Sequence, residues 1–322
     1  MVSIKDIAKQ AGVSISTVSY ALNGSSKITE ATTARIQEIA KELNYVPNAA
    51  ARSLKKRETK IIGAFLMADY TGNFWGPLLQ GINDTLNNTD YELIVCNGIK
   101  SHRFLPEQVI DGAVVLDWSF SDEELINYAN LGCKLVVLDR ELDHPNINRV
   151  ILDNTTGSTL AVNYVLEKGH RKLYIVTGPE ISYDATQRLQ AVRQTVKHYD
   201  NIQYQEIIGD FSKTSGAHAA ARIVQEYKEP VAVFCLNDEM AIGMYDYLSA
   251  TTYQVGKHIH IIGFDNIEMS QYIMPNLATI DYSKHKWGAV AAENLLKLIA
   301  NNPVSNMTLD VSLIKRESAQ KR

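Results

Sequence analysis

Five hydroxyl-bearing side chains lie within seven positions near the start of the chain, at Ser14, Ser16, Thr17, Ser19 and Tyr20. A hydroxyl group both donates and accepts hydrogen bonds, so these side chains could form a neutral surface that binds the polar edges of a partner. These side chains can bind one partner together only if a single helix or strand presents them on the same face. The residues around them must therefore specify that element.

Two short helices separated by a tight turn would present this surface. Apolar residues with the i, i+3, i+4, i+7 spacing of a helix occur at Ile4, Ile7, Ala8 and Ala11. Gly12 interrupts that spacing, and Ser14 can cap a second helix whose Val18 and Leu22 face inward. A third helix, capped by Thr29, repeats the apolar spacing at Ile36, Ile39, Ala40 and Leu43.

The charge of the chain is unevenly distributed. Residues 1–60 contain ten Lys and Arg against five Asp and Glu, whereas residues 61–322 contain 22 against 31. An ordinary helical cap is the alternative interpretation of three short amphipathic helices. A basic segment on a chain with an overall charge of −4 favours instead a head that binds nucleic acid, because phosphate contacts need local positive charge.

A second run, residues 45–56, predicts a helix that needs a partner. Pro47 suits the first helical position, and Lys55 and Lys56 suit the last turn. So short a helix is marginal by itself, because isolated helices need about 12–15 residues in water. Leu54 is an apolar side chain among basic neighbours. It suits either a wedge between base pairs in the minor groove or a linker that packs on the body of the protein.

Both runs resemble the head of the lac repressor and galactose repressor family. The matching motifs are Ala-Gly-Val-Ser-x-x-Thr-Val-Ser at residues 11–19 and Tyr-x-Pro-Asn-x-x-Ala-Arg-x-Leu at residues 45–54. The resemblance implies that the second helix enters the major groove of DNA and that Leu54 is inserted in the minor groove. The implied contacts are Ile15, Ser16 and Tyr20 to bases, Ser14, Thr17, Ser19 and Asn23 to phosphates, and Tyr45, Asn48, Ala51, Leu54 and Lys55 in the second run. Tyr20 stands where many members have Arg, so the operator sequence does not follow from relatives.

From Lys60 onward, strand and helix patterns alternate. The predicted strands are Ile61–Ala68, Tyr91–Cys96, Gly112–Leu116, Lys134–Leu138, Val150–Leu152, Lys172–Thr177, Val231–Leu236 and His258–Gly263. Helical patterns such as 74–88 and 240–250 lie between most of them. This alternation predicts doubly wound α/β architecture with parallel sheets. More than 250 residues exceed one usual α/β domain, so we expect two lobes with a cleft between them.

Polar residues follow the predicted strands, where open α/β sheets bind ligands. They are Asp69, Asn97, Asp117, Asp139, Arg140, Asp153, Asn154, Asn237, Asp238 and Asp265. Any one of them alone is better explained as a turn former or a helix cap. As a set, carboxylates and amides match the paired hydroxyls of a sugar, and Phe74 and Trp75 could pack on a ring face. The pattern is compatible with a polyhydroxylated ligand.

Residues 60–322 also resemble the same family, whose core is similar to the periplasmic sugar-binding proteins. The resemblance lies in segments such as 150–154, 237–241 and 262–265. It implies effector contacts at Asp69, Phe74, Trp75, Arg188, Phe211, Asp238 and Asp265, with Asn237 and Asp139 as weaker candidates. A buried guanidinium needs an acceptor, which Asp265 or a ligand hydroxyl could supply to Arg188.

The expected organisation is a helix-turn-helix head at 1–46, a hinge helix and linker at 47–58, and a core at 59–322. The first lobe of the core would comprise about 59–156 plus 283–302, and the second about 157–282 plus 303–322. The resemblance places the crossings between the lobes near Asn154–Gly157, Tyr282–Ser283 and Asn302–Pro303. Residues 98–110 leave little room for a parallel crossover, which needs about a dozen residues.

Other sequence features bear on location and cofactors. No apolar run approaches about 18 residues and no signal peptide follows Met1, so we expect a cytoplasmic protein without a membrane span. The three cysteines, Cys96, Cys133 and Cys235, are widely spaced and suit packing better than disulfides or zinc. The sequence contains no phosphate loop and no dinucleotide fingerprint, and we expect neither a metal nor a cofactor.

These features favour a DNA-binding transcription regulator, most often a repressor in this family, gated by a sugar or sugar derivative. One recognition helix reads few base pairs, so we expect a homodimer on a pseudo-palindromic operator. A corepressor-dependent regulator that binds a purine or another metabolite is the first alternative. A transport solute-binding protein and a sugar-processing enzyme are others, although no catalytic spacing supports an enzyme.

Overall fold

The computed structural model describes residues 2–46, 58–67 and 74–320. The chain divides into two compact units, Met1–Thr59 and Lys60–Arg322. Residues 47–57, which carry most of the predicted hinge helix, lie outside the described residues, and so does Asp69.

Three helices of the first unit surround a small apolar core. Helices α1 (Ile4–Ala11) and α2 (Ile15–Leu22) are joined by a turn in which Gly12 has a φ of 64°, a left-handed conformation that favours glycine. Helix α3 (Glu30–Glu42) is capped by the side chain of Thr29. The buried core consists of Ile7, Ala8, Ala11, Val18, Ala21, Ile36 and Ala40. The predicted helix-turn-helix is therefore confirmed.

The second unit alternates strands and helices. Its strands are β1 (Ile61–Leu66), β2 (Glu92–Asn97), β3 (Gly112–Leu116), β4 (Lys134–Val137), β5 (Ile147–Leu152), β6 (Lys172–Val176), β7 (Gln203–Ile207), β8 (Val231–Cys235), β9 (Ile259–Phe264), β10 (Ala278–Asp281), β11 (Met307–Leu309) and β12 (Ser312–Ile314). Its α-helices are α4 (Trp75–Leu86), α5 (Asp122–Asn130), α6 (Asn154–Glu167), α7 (Tyr183–Val196), α8 (Lys213–Gln225), α9 (Asp238–Ser249) and α10 (Lys284–Ile299). Short 3-10 helices occur at Ile99–Phe104, Glu268–Gln271 and Glu317–Ala319.

The described strands form two six-stranded sheets, each at the centre of one lobe. The order is β11-β5-β4-β3-β1-β2 in the first lobe and β12-β10-β9-β8-β6-β7 in the second. Neighbouring strands run parallel, apart from β10 and β12, which are antiparallel. In β1, Ile62 and Ala64 pack into one apolar cluster and Phe65 into another, so both faces of the sheet are buried. The predicted two-lobed α/β fold is confirmed.

The chain passes between the lobes three times. It passes after β5, where α6 begins at Asn154, and again between β10 and α10, as predicted. The third crossing was expected near Asn302–Pro303, and this prediction was wrong. Strand β11 still pairs with β5 of the first lobe, with Met307 opposite Val150, so the chain leaves that lobe at residues 310–311.

Four strands, β7, β10, β11 and β12, are absent from the sequence prediction. Strand β7 is an edge strand with half-exposed or exposed polar residues, and β11 and β12 have three residues each. Their pairing depends on long-range neighbours more than on a local apolar pattern.

The connection between β2 and β3 is short, and its described residues contain a 3-10 helix, Ile99–Phe104, with no α-helix. The buried side chain of His102 anchors it. Its ring stacks on Phe120 with 3.4 Å between centroids, and its nitrogens lie 3.1 Å from Glu124 Oε1 and 3.2 Å from Ser119 Oγ. One buried ring thus holds a connection that is too short for a full helix.

None of the helices that the structure describes has the length and apolar character needed to cross a membrane. The three cysteines are free thiols; Cys96 and Cys235 are buried, and Cys133 is half-buried.

Candidate DNA-reading helix and effector cavity

Helix α2 presents the residues that the sequence predicts as base contacts. Ile15 is 46% exposed, Ser16 is exposed and Tyr20 is half-buried, whereas Val18 is fully buried beneath them. The exposed side chain of Ile15 leaves an apolar group on this helix available to a partner, such as the methyl group of a thymine.

Several of the predicted phosphate contacts also stabilise α2 itself. Ser14 Oγ accepts a hydrogen bond from the amide of Thr17 at 3.1 Å and lies 2.9 Å from its hydroxyl. Asn23 Nδ2 donates to the carbonyl oxygen of Ser19 at 2.7 Å. These bonds orient the polar side chains at both ends of the helix.

Lys27, which sequence reasoning missed, supplies a positive charge beside helix α2. Its Nζ lies 5.2 Å from the ring centroid of Tyr20, within the range of a cation–π contact. Tyr45 is half-buried and packs against the apolar core of the head. The other predicted contacts of the second run, Asn48, Ala51, Leu54 and Lys55, lie outside the described residues.

A cavity lies between the carboxyl ends of the two sheets, the position at which open α/β folds bind ligands. The first lobe lines it with Met67, Phe74, Trp75, Leu116, Trp118 and Asp139, and the second with Ser182, Asp184, Arg188, Phe211, Asn237, Glu239, Asp265 and Ile267. The predicted effector residues that the structure brings together here are Phe74, Trp75, Asp139, Arg188, Phe211, Asn237 and Asp265.

Aromatic rings form the apolar walls of the cavity. Phe74 and Trp75 meet edge to face with 4.8 Å between ring centroids, at the start of α4. Phe211 lies opposite them in the second lobe and has a φ of 69°. The carbonyl oxygen of Phe211 accepts a hydrogen bond from Asn237 Nδ2 at 3.0 Å, which holds this strained residue in place.

Arg188 is the positive centre of the cavity. Its Nε donates to Asn154 Oδ1 at 2.8 Å and its Nη1 to the carbonyl oxygen of Leu236 at 2.6 Å. Its Nη2 lies 3.7 Å from Asp265 Oδ1, the partner suggested by the sequence. The guanidinium also stacks over Phe264, 3.6 Å from the ring centroid. The protein itself thus orients this side chain.

Asp265 connects the cavity to the second crossing between the lobes. Its Oδ1 accepts a hydrogen bond from Tyr282 Oη at 2.8 Å, and its carbonyl oxygen accepts one from Lys284 Nζ. Its backbone has a φ of 109°, an unfavourable conformation for a residue other than glycine. These two hydrogen bonds hold the strained turn after β9.

Asp238 does not line the cavity, contrary to the prediction from the resemblance. It is fully buried, and its carboxylate accepts hydrogen bonds from Thr279 Oγ1 at 2.6 Å and from the amide of Ile267 at 3.0 Å. Its role is structural, since it secures the loop that carries Asp265. Gly263 leaves space for this carboxylate, because a Cβ at that position would lie 1.9 Å from Asp238 Oδ1.

The charges of the cavity are largely balanced inside the protein. Asp139 accepts two hydrogen bonds from its neighbour Arg140, at 2.9 and 3.1 Å. Burial raises the pKa of Asp139 above its ordinary value, and Arg140 opposes that rise. Burial likewise raises the pKa of Asp265 and lowers that of Lys284.

Sequence reasoning missed several residues of the cavity, notably Trp118, Asp184 and Glu239. Trp118 and Glu239 lie one residue beyond Asp117 and Asp238, two of the polar residues that follow predicted strands. Asp184 lies in the first turn of α7, well past the end of β6, and no strand-end signal identifies it. Within the described segments, no three His, Cys, Asp or Glu side chains come together in a way that could hold a metal ion.

A helix-turn-helix unit and a two-lobed α/β core with a cavity between its sheets define a ligand-binding DNA-associated protein. The family profile described as bacterial regulatory proteins, lacI family, matches residues 3–48, and the profile of a periplasmic binding protein-like domain matches residues 162–319. A probable HTH-type transcriptional repressor ExuR of Bacillus subtilis is 35% identical over 308 residues, covering 93% of this chain and 92% of that protein.

Solved structures agree with these matches. A sugar-binding transcriptional regulator of the LacI family from Enterococcus faecalis has 45% identity and a TM-score of 0.78, over 82% of this chain and 99% of that one. The lac repressor dimer bound to operator and an anti-inducer has 26% identity and a TM-score of 0.84, over 99% of both chains. The chain belongs to the lacI family of bacterial regulatory proteins. It is a transcription regulator, and the enzyme and transport alternatives are set aside.

Proposed function

We propose that this protein represses genes of carbohydrate metabolism and that a saccharide bound between the lobes changes its affinity for the operator. The observation that carries this proposal is the composition of the cavity, which combines four aromatic side chains with carboxylates from both lobes and with an amide and a guanidinium group from the second lobe. Aromatic faces pack on the apolar face of a sugar ring, and the polar groups match its hydroxyls.

Two residues that line the cavity form hydrogen bonds with residues at the crossings between the lobes. Arg188 donates to Asn154, where α6 begins after the first crossing, and Asp265 accepts from Tyr282 at the second. A ligand that contacts Arg188 or Asp265 therefore acts on groups that also hold the crossings. Such contacts favour one relative orientation of the lobes, which is how a small molecule biases a two-state protein.

Thermal-shift screening of the full chain against neutral, amino and acidic sugars and against nucleobases tests the effector class. A ligand that binds only the native core raises its melting temperature in proportion to the logarithm of ligand excess over Kd. We expect at least one saccharide to do so and to change operator affinity. A response to nucleobases alone would instead favour the purine-responsive alternative.

We propose that Leu54 is inserted between base pairs of the operator when residues 47–56 fold on DNA. The support is the motif at residues 45–54 and the isolated apolar side chain among basic ones. Leu54→Ala should weaken operator binding by about 1–3 kcal/mol, within the range of a good specific contact, and should reduce the bend in the DNA. Gel-shift titration and a circular-permutation bending assay measure both. Unchanged affinity and bending would refute the wedge.

We propose that the regulator acts as a homodimer. Around the 3-10 helix Glu268–Gln271, the second lobe exposes Met269, Tyr272 and Met274, whose exposed fractions are 39, 68 and 79%. Apolar side chains grouped in this way suit a subunit interface. Tyr272→Asp should shift the protein toward monomer in analytical ultracentrifugation and lower operator affinity. A variant that remains a dimer would place the interface elsewhere.

A further inference from the structure

Among the described residues, four carboxylates line the effector cavity, and three of them have a cation beside them. The three pairs are Arg140 with Asp139 at 2.9 Å, Lys213 with Glu239 at 3.7 Å, and Arg188 with Asp265 at 3.7 Å. The fourth carboxylate, Asp184, forms no ion pair with any described residue. Asp184 therefore differs from the other acidic groups of the site.

The orientation of Asp184 is set from one side only. Its Oδ1 accepts a hydrogen bond from Asn154 Nδ2 at 2.7 Å, and among the described residues its Oδ2 accepts none. Arg188, one turn later in α7, is directed toward Asn154, Leu236 and Asp265. One carboxylate oxygen thus remains available at the cavity wall, while the other is fixed.

The surroundings of Asp184 make its negative charge costly. Burial raises the pKa of this carboxyl above its ordinary value, although Arg188 opposes the rise. Its place in the first turn of α7 compensates in part, because a helix N-terminus favours an anion. A cationic group on a ligand would supply the missing partner. A second anion in the cavity would instead repel both Asp184 and Asp139.

We propose that the cavity selects its saccharide by charge: it binds a sugar with a protonated amino group, which Asp184 receives, and it discriminates against uronates and sugar phosphates. This inference rests on the proposed function, since it names the class of saccharide. The aromatic walls agree with it, because the faces of Phe74, Trp75 and Trp118 attract a cation as well as a sugar ring.

Isothermal titration of the full chain at neutral pH with matched sugars tests the proposal. The probes are glucosamine, glucose, N-acetylglucosamine, glucuronate and glucose 6-phosphate, with the corresponding galactose series. We expect one amino sugar to bind about tenfold or more tightly than its neutral parent, as one charge-assisted hydrogen bond implies. The N-acetyl derivative, which has lost the charge, should lose this advantage. Uronates and phosphates should bind more weakly than the neutral parent.

Asp184→Asn keeps the size of the side chain and removes its charge. In this variant the preference for the amino sugar over its neutral parent should fall to within about threefold, since the charge-assisted bond is lost. Asp246→Asn is the matched control, because Asp246 is an exposed carboxylate on α9. It should leave the preference unchanged. If Asp184→Asn does not fold, Asp184→Ser provides the same comparison.

Each adverse result would contradict a different claim. Tightest binding of a uronate, a phosphate or a neutral sugar would overturn selection by charge and leave a sugar-responsive regulator. An amino-sugar preference that survives in Asp184→Asn would overturn the role of Asp184. Binding of no saccharide from any series would overturn the proposed function itself.

Discussion

Burial sets the charge state of the acidic residues around the cavity. It raises the pKa of Asp139, Asp184 and Asp265, and the neighbouring cations Arg140 and Arg188 oppose it. The folded chain therefore holds protons on these groups to higher pH than the unfolded chain does. Ionisation of such a group costs folding free energy as the pH rises.

Asp184→Asn should reveal this cost as a dependence on pH. Below the ordinary pKa of 3.8 the carboxyl is protonated in both states, so the difference in unfolding free energy between variant and wild type is smallest there. As the pH rises, the unfolded wild type ionises first, and the difference should grow in favour of the variant until the folded pKa is passed. Denaturant titrations at about pH 3.5, 5.5 and 7 measure it. The same difference at all three values would contradict the raised pKa.

At the scale of elements, each lobe contains a pair of helices that touch backbone to backbone through glycines. In the first lobe, a Cβ on Gly81 of α4 would lie 1.9 Å from the carbonyl oxygen of His285, and a Cβ on Gly288 of α10 would lie 2.0 Å from that of Leu78. In the second lobe, Gly216 of α8 and Gly243 of α9 likewise bring the backbones of their two helices into direct contact. These contacts fix the helices whose first turns carry Trp75 and Glu239 into the cavity.

Gly288→Ala should therefore destabilise the core by about 1–3 kcal/mol or more, the cost of overpacking a close contact. Gly76→Ala is the matched control, because Gly76 lies in α4 and no described atom would lie within 4 Å of an added Cβ. It should be neutral or stabilising by up to about 1 kcal/mol. Urea unfolding of both variants makes the comparison. Equal effects would mean that the helices can separate at little cost.

At the scale of the whole molecule, Asn154 lies where the cavity meets the first crossing. Its side chain accepts from Arg188 and donates to Asp184, yet it does not line the cavity. Asn154→Ala should reduce the change in operator affinity that a saturating effector produces, a coupling typically worth 1–3 kcal/mol, by about half. Operator titrations with and without effector measure this ratio.

Asn163→Ala is the control for this coupling. Asn163 lies on the same helix, where its Oδ1 accepts from Tyr199 Oη at 3.0 Å, away from the cavity. It should leave the ratio of operator affinities unchanged. If Asn154→Ala retained full coupling, the path through the first crossing would be refuted.

The sequence by itself determined the features that depend on neighbours along the chain. The helix-turn-helix follows from the apolar spacing of Ile7 and Ala11, the turn at Gly12 and the caps Ser14 and Thr29, all of which act within a few residues. The alternating strands and helices of the core are equally local patterns, and Asp139, Asn237 and Asp265 were predicted as cavity residues because they follow predicted strands. Arg188 and Phe211 were implied by the resemblance to the family.

Only the tertiary structure decided which polar residues face the ligand cavity and which serve the fold. The sequence suggested Asp238 as a ligand contact, but its carboxylate accepts hydrogen bonds from the hydroxyl of Thr279 and the amide of Ile267. Asp184 had no signal at all, because its position depends on how α7 packs beside Asn154. The third crossing was predicted too early in the chain, because the three-residue strand β11 forms only through its pairing with β5 and has no strong local pattern of its own. These features arise from contacts between distant segments, whose geometry the order of residues does not reveal.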